Sequence, residues 1–102
     1  MTITELKKTL INNGYIHYTK EEYHIQTNLY HDFYVKNDIC ISFFKIENKQ
    51  RNISIYENWN IEKNCGKCLY YDISVNDISD YINGTYKPIK YIPKILENSL
   101  PF

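Results

Sequence analysis

Two cysteines separated by two residues, Cys65 and Cys68, form the motif with the clearest chemical potential, because such thiolates can chelate zinc or form a reactive disulfide. A structural zinc site needs four ligands, and the sequence offers neither a second cysteine pair nor a paired histidine. Cys40 and one histidine complete the set only if the fold brings them together. A thioredoxin-like redox site opens a helix, whereas a β-like segment follows this motif. We therefore expect free thiols, no metal and no other cofactor.

Three histidines recur every seven residues, at His17, His24 and His31. This spacing would align them on a helix, but the segment alternates as a strand does, and a step of seven then changes faces. The three side chains are therefore not expected to converge. No nucleophile stands beside them in a recognisable context, and the three glycines are too far apart for a phosphate-binding loop. We expect no enzyme activity, although a catalytic triad can also assemble from distant positions.

Asp77 and Asp80 are well spaced to share a cation, since residues three apart are neighbours on one face of a helix. The favourable interaction of carboxylates with a helix N-terminus explains the same pair without a ligand. Asp72 lies a few residues earlier, and the stretch 68–84 contains no lysine or arginine. The sequence therefore predicts a locally acidic surface in this region.

The first element that positions these residues is a helix, expected at 3–13. Thr2 and Glu5 have the spacing of a capping box, and Gly14 suits the position just after a helix. Apolar residues fall on one side at helical spacing, while lysine and asparagine occupy the other side. We therefore expect this helix to lie on a sheet with one side toward water.

Alternating patterns predict the strands. Residues 22–36 alternate over a length that exceeds one strand, so a bend or hairpin is expected near 27–32. Residues 39–46 are apolar on both faces, which is typical of a central strand. A half-buried strand is expected at 53–59 and the last principal strand at 67–73. The buried side of the 53–59 strand is expected to carry Ile53, Ile55 and Trp59.

The C-terminal part has helix signals. Ser74 can cap a helix that runs through Ile82 and stops at Gly84, and Pro93 can begin another short helix. This order of elements, with short connections, predicts an α+β fold. We expect an antiparallel meander of four to five strands, with the N-terminal helix and one or two C-terminal helices packed on one face. The chain of 102 residues is expected to form a single domain, 1–102.

Composition limits the classes of function. The 12 basic and 12 acidic residues balance, so the chain lacks the positive field of most nucleic-acid binders. No apolar run approaches the roughly 18 residues of a membrane helix, so no membrane insertion is expected. Three cysteines, an odd number, indicate a reducing compartment, the cytoplasm. The excess of isoleucine, asparagine, lysine and tyrosine, without any alanine, matches AT-rich codons and indicates a microbial or phage gene.

The 11 tyrosines provide large contact area at low entropic cost, which favours a protein that works through an interface. We expect a small inhibitor that binds one protein partner, as a monomer or weak dimer. The favoured class is an immunity protein that neutralises a bacterial toxin, for example a contact-dependent toxin or a nuclease. The alternatives are a phage-encoded inhibitor of a host defence nuclease such as an anti-CRISPR protein, a small nucleic-acid-binding regulator, and a metal-dependent enzyme using the cysteine pair. The predicted partner-binding surface consists of Tyr70, Asp72, Asp77, Asp80 and Tyr81.

Overall fold

The computed structural model describes residues 1–86, which form a helix, five strands and a second helix in that order. The elements are α1 (Ile3–Asn12), β1 (Ile16–His24), β2 (Thr27–Lys36), β3 (Ile39–Ile46), β4 (Lys49–Asn60), β5 (Cys65–Tyr70) and α2 (Val75–Ile82). All five strands belong to one antiparallel sheet, in which each strand pairs with the next along the chain. The predicted α+β meander is confirmed, and the further helix predicted from Pro93 lies outside the described residues.

Helix α1 begins at the capping box that the sequence predicts. The Thr2 hydroxyl accepts a hydrogen bond from the Glu5 backbone N–H at 3.1 Å, and the Glu5 carboxylate accepts one from the Thr2 N–H at 2.9 Å. Gly14 follows with a φ of 89°, a conformation that glycine adopts without strain. Leu6 and Leu10 are fully buried, so α1 is held on the sheet by its apolar side. Neither described helix is long and apolar enough to cross a membrane.

The turn between β1 and β2 lies earlier than the sequence pattern predicts. His24 pairs with Thr27, and Ile25 and Gln26 between them have positive φ values of 47° and 64°. Two such residues form the two-residue turn that best matches the twist of a hairpin. The predicted bend at 27–32 is therefore wrong. The turn at 25–26 was missed because Ile-Gln lacks the asparagine or glycine that marks this turn type. Strand β1 accordingly begins several residues before the predicted alternation.

Both helices pack on the same side of the sheet, which we call the helix face. The core there joins apolar residues of the two helices to inward-facing residues of β2, β3 and β4. Its buried members are Leu6, Leu10, Tyr34, Ile41, Phe43, Ile53, Ile55 and Ile78. Strand β3 lies in the middle of the sheet, as the sequence predicts for a strand that is apolar on both faces. Each large side chain buried here contributes about 1.5 to 3 kcal/mol, so this cluster holds the helices in place.

A bulge near the end of β4 changes the side of the sheet on which Trp59 lies. The register with β5 shifts in this region, and Asn58 has a φ of 54°. Trp59 consequently packs against a cluster on the side away from the helices. The prediction that Trp59 shares a buried side with Ile53 and Ile55 is wrong, because the bulge interrupts the alternation on which it depended.

Candidate functional site

The side of the sheet away from the helices carries a second buried cluster. Its members are Phe33, Val35 and Cys40. Three partly buried aromatic residues pack against it, namely Tyr18, Tyr56 and Trp59. Within residues 1–86, neither helix contributes to this cluster. The outer rings are therefore the surface that the described fold presents on this side.

Six ring-bearing side chains on this side form a connected row, which we call the aromatic face: Tyr18, His31, Phe33, Phe44, Tyr56 and Trp59. The Trp59 ring centroid lies 5.0 Å from that of Phe33 and 5.3 Å from that of Tyr56, with planes tilted by 47° and 52°. His31 stacks on Phe33 at 5.5 Å and lies 4.9 Å from Phe44. These separations fall within the range of about 4.5 to 7 Å that aromatic pairs prefer. The row thus extends over four adjacent strands, from β1 to β4.

Two hydrogen bonds fix the polar ends of this row. The Trp59 Nε1–H donates to the Tyr18 hydroxyl at 2.7 Å, and that hydroxyl donates to Asn64 Oδ1 at 3.0 Å. Tyrosine and tryptophan usually find such partners where they are buried. Side chains from β1 and β4 therefore meet above the two strands between them.

A cleft of about 420 Å³ opens on the aromatic face. Phe33, Tyr56 and Trp59 form its aromatic walls, while Ser42 and Asn64 supply neutral polar atoms. A smaller depression of about 210 Å³ shares His31, Ser42 and Tyr56 with this cleft. The two depressions give the aromatic face a shape into which side chains of a partner can fit.

The cleft is electrically balanced. Lys20 and Glu22 line it, and their side chains form an ion pair at 2.7 Å. Burial lowers the pKa of His31, which also lines the cleft, below its ordinary value of 6.5. The nearby Glu22 carboxylate opposes this effect on the pKa, and the Lys20 ammonium reinforces it. His31 is therefore neutral at pH 7, and the described lining carries no net charge.

The depressed pKa of His31 makes stability depend on pH. The folded protein binds a proton on His31 less readily than the unfolded chain does. The contribution of neutral His31 to the free energy of unfolding is therefore complete above about pH 6.5 and is lost as the pH falls below that value. When the pH is lowered from about 7.5 to about 5, we expect the free energy of unfolding to fall less in His31→Asn than in the native chain. Urea unfolding at the two pH values measures this difference, and equal losses in both proteins would contradict it.

The three cysteines occupy two environments. Cys40 is fully buried, and burial raises the pKa of its thiol to about 12, so it is unreactive at neutral pH. Cys65 and Cys68 are exposed, and Cys65 lines the cleft. Over residues 1–86, no group of three or more histidine, cysteine, aspartate or glutamate side chains is arranged to hold a metal ion. The expectation that the thiols bind no metal stays a prediction.

His17 and His31 lie on opposite sides of the sheet. On the helix face, His17 stacks on Tyr34 at 4.5 Å, and its Nε2 lies 3.2 Å from the Asp32 carboxylate. Burial raises the pKa of Asp32, but hydrogen bonds from Lys7 and His17, together with the charges of Lys7 and Lys45, outweigh this effect and hold the pKa below its ordinary value. Because Lys7 belongs to α1, this ionised carboxylate ties the helix to the sheet.

The two tyrosines of the predicted partner-binding surface contact each other. The rings of Tyr70 and Tyr81 meet edge to face with centroids 6.1 Å apart, and Tyr86 approaches Tyr70 in the same manner at 5.0 Å. Both predicted tyrosines are half-buried, because they also pack against the helix-face core. Burial raises the pKa of Tyr81, and Tyr70, Asp38 and Glu57 raise it further. The structure therefore places two more carboxylates near this surface, which sequence reasoning missed because they come from distant turns and strands.

The three predicted aspartates differ in their surroundings. Asp77 lies in the first turn of α2, where its backbone N–H donates to the Ser74 hydroxyl at 3.1 Å. Asp72 and Asp80 are exposed, and Asp72 has a φ of 56° in the segment that links β5 to α2. Helix capping accounts for the position of Asp77, whereas Asp72 and Asp80 present their carboxylates to solvent.

Sequence reasoning also missed the aromatic face. It predicted only an alternating segment at 22–36, whereas the structure packs Phe33 and Val35 on one side of β2 and their neighbour Tyr34 beneath the helices on the other. A signal was present, since residues 33–35 are apolar on both parities, as is β3. Such a pattern predicts a sheet that buries side chains on both sides, and the second side here has no helix among residues 1–86.

Comparison with protein-family models, with curated proteins and with solved structures finds no match to this chain. The geometry of the described residues is therefore the basis for assigning a function. It offers an aromatic, electrically balanced face on one side of the sheet and a tyrosine pair with carboxylates at the end of β5 and on α2.

Proposed function

We propose that this protein is a small inhibitor that binds one protein partner stoichiometrically through its aromatic face. The observation that carries the proposal is the row of six rings on a side of the sheet that neither described helix covers. The centres of protein interfaces are enriched in aromatic side chains and depleted of charge, and tyrosine and tryptophan are frequent binding hot spots. The composition of this face is that of such an interface centre.

A sheet with partly exposed rings also supports a nucleic-acid-binding regulator, because bases stack on aromatic side chains. Grooves that bind single strands also need positive charge along the backbone path. Among the described residues that line the cleft, Lys20 is the one lysine, and its charge is balanced by Glu22. The charge on this face therefore favours a protein over a nucleic acid.

Among protein-binding inhibitors, we propose an immunity protein that neutralises a bacterial toxin in the cytoplasm as a monomer or weak dimer, without catalysis or a cofactor. The small size and an amino-acid composition that matches AT-rich codons support this class. A phage-encoded inhibitor of a host defence nuclease, such as an anti-CRISPR protein, has the same support and is the second candidate. A gene directly downstream of a large toxin gene favours the first class, and a phage operon favours the second.

Affinity purification of the full chain from its native host tests this function. We expect one protein to be retained in stoichiometric amount, and Trp59→Ala to retain less of it. Ile11→Ala is the matched control, because Ile11 is an exposed apolar residue on α1, on the helix side of the sheet. Recovery of nucleic acid in place of a protein would contradict the proposal.

The surface of Tyr70, Asp72, Asp77, Asp80 and Tyr81 lies on the helix face, beside the edge strand β5, and is proposed as a peripheral part of the interface that steers association. A nuclease is basic where it meets nucleic acid, so an inhibitor that covers such a site gains from acidic complementarity. Complementary charge of this kind mainly raises the association rate and selects the partner.

Replacing Asp72 and Asp80 together with Asn is expected to slow association by about tenfold at low salt, with little change in the dissociation rate. Both carboxylates are exposed, so the change should leave the fold intact. Association kinetics with the purified partner at low and high salt measure the effect, which salt should erase. Unchanged kinetics at both salt concentrations would remove these residues from the interface.

A further inference from the structure

The aromatic walls of the cleft are arranged so that a further ring can pack against them. Neighbouring rings of Phe33, Trp59 and Tyr56 lie 5.0 and 5.3 Å apart and are tilted by 47° and 52°. Aromatic rings prefer tilted or offset neighbours at about 4.5 to 7 Å. A further ring entering the cleft can therefore continue the packing that these three residues begin.

The size of the cleft limits what enters it. Its volume of about 420 Å³ is at the small end of the roughly 300 to 1,000 Å³ that ligand pockets occupy. A single aromatic side chain enters a cleft of this size with room to spare, whereas a strand of several stacked bases does not. The cleft therefore favours one protruding group of a larger partner.

The charges in the cleft favour a neutral group. Lys20 is balanced by Glu22 at 2.7 Å, and His31 is neutral at pH 7 because burial disfavours its protonation. A phosphate or carboxylate would have to compete with Glu22 for Lys20, and a cation would have to compete with Lys20 for Glu22. Burying an unpaired charge costs much more than burying a neutral ring.

The polar atoms in the cleft suit a small neutral hydrogen-bonding group. The Asn64 Oδ1 accepts from the Tyr18 hydroxyl at 3.0 Å and keeps a second lone pair, and the Asn64 Nδ2 can donate to an occupant. Ser42 adds a hydroxyl that can both donate and accept. A phenol can donate to or accept from either group, and an indole N–H can donate to the Ser42 hydroxyl or to Asn64 Oδ1, while the ring meets the aromatic walls.

We propose that this cleft is the anchor pocket of the interface and receives one neutral aromatic side chain, of tyrosine or tryptophan type, from the protein partner. The inference rests on the proposed function, because the partner supplies the side chain. A central aromatic anchor in a fitted pocket is the usual form of a binding hot spot.

Titration of the isolated full chain with p-cresol, a mimic of the tyrosine side chain, tests the pocket without the partner. The chain contains one tryptophan, so the Trp59 indole N–H gives a single resonance that reports on the cleft. We expect p-cresol to shift this resonance with a dissociation constant of about a millimolar, as is usual for so small a ligand. Phenyl phosphate and tetramethylammonium should bind at least about fivefold more weakly, since burying their charge is costly. Tighter binding of either charged probe would overturn the inference.

Two variants make the assignment specific to the cleft. Tyr56→Ala removes one wall and should weaken p-cresol binding at least about fivefold. Phe44→Ala removes a ring of the same aromatic face that does not line this cleft, and should change binding by less than about twofold. The dispersion of the amide spectrum shows whether each variant is folded. Equal effects of the two variants would place the p-cresol outside the cleft.

Competition separates a failure of this inference from a failure of the proposed function. At a p-cresol concentration about ten times its dissociation constant, the apparent dissociation constant of the partner should rise about tenfold. If p-cresol binds in the cleft and the partner binds with unchanged affinity, the anchor pocket is wrong and the protein-binding function stands. If the native host yields no protein partner, the proposed function fails, and the anchor pocket fails with it.

Discussion

Phe43→Ala is expected to lower the free energy of unfolding by about 3 to 5 kcal/mol, the usual cost of truncating a fully buried aromatic side chain. Phe43 is fully buried in the helix-face core, where its ring meets Tyr34 edge to face with centroids 5.4 Å apart. The Lys7 ammonium also lies 5.1 Å from the centroid of this ring. A domain of this size is stabilised by only about 5 to 15 kcal/mol, so the variant should be close to unfolding. Urea unfolding at constant m value measures the loss.

Phe44→Ala is the matched control for Phe43→Ala. The two residues are adjacent in β3, yet Phe44 lies on the aromatic face and is only partly buried. Its truncation should cost about 1 kcal/mol, because less apolar area is withdrawn from water at this position. Equal losses in the two variants would contradict the assignment of Phe43 to the helix face and Phe44 to the other side.

Gly66→Ala is expected to destabilise the protein by about 2 kcal/mol, since inserting a methyl group into a tight contact costs about 1 to 3 kcal/mol. A Cβ at this position would lie 2.7 Å from the Glu57 carbonyl oxygen and 3.1 Å from Cε3 of Trp59. The oxygen belongs to the backbone of β4, so relief requires β5 to move away from its partner strand. Urea unfolding followed by Trp59 fluorescence measures both the loss of stability and the change around this ring.

Cys65→Ala controls for Gly66→Ala at the neighbouring position. Cys65 is exposed, so its replacement should change stability by no more than about 0.5 kcal/mol. A Gly66→Ala protein with native stability and native Trp59 fluorescence would show that the close approach of β4 and β5 is not required.

The elements that depend on short-range signals were predictable from the sequence. Thr2 with Glu5 and Ser74 with Asp77 mark helix starts because a capping side chain bonds to a backbone N–H three residues away. The central position of β3 followed from its apolar residues on both faces. Antiparallel order followed from the short connections, which leave no room for a crossover.

Residues 33–35 signal burial on both sides of the sheet, but the set of rings that shares the aromatic face was not predictable, because it depends on two irregularities without a clear sequence signal. The first hairpin turns at Ile25 and Gln26, residues that rarely adopt positive φ, so the chain pairs two long strands where a bend was expected. The bulge at Asn58 then moves Trp59 to the side where Tyr18 and Phe33 lie. Periodicity reports which residues share a face only while the alternation is unbroken.

Only part of the acidic surface could be predicted from the sequence. Tyr70 and Tyr81 were grouped from neighbouring segments, and the structure does bring their rings together. Asp38 in the turn before β3 and Glu57 in β4 lie close enough to raise the pKa of Tyr81, and such long-range proximity is not encoded in local spacing. Local patterns therefore identified part of this surface and could not give its full extent.

The affinity of the purified partner for Trp59→Ala tests the central claim most directly, because Trp59 lies on the aromatic face and bonds to Tyr18. Calorimetric titration below the unfolding midpoint of the variant should show a loss of at least about 30-fold, or about 2 kcal/mol, the scale of an interface hot spot. Ile11→Ala, on the helix side, should bind within about twofold of the native chain. Native affinity of a folded Trp59→Ala protein would contradict the claim that the aromatic face binds the partner.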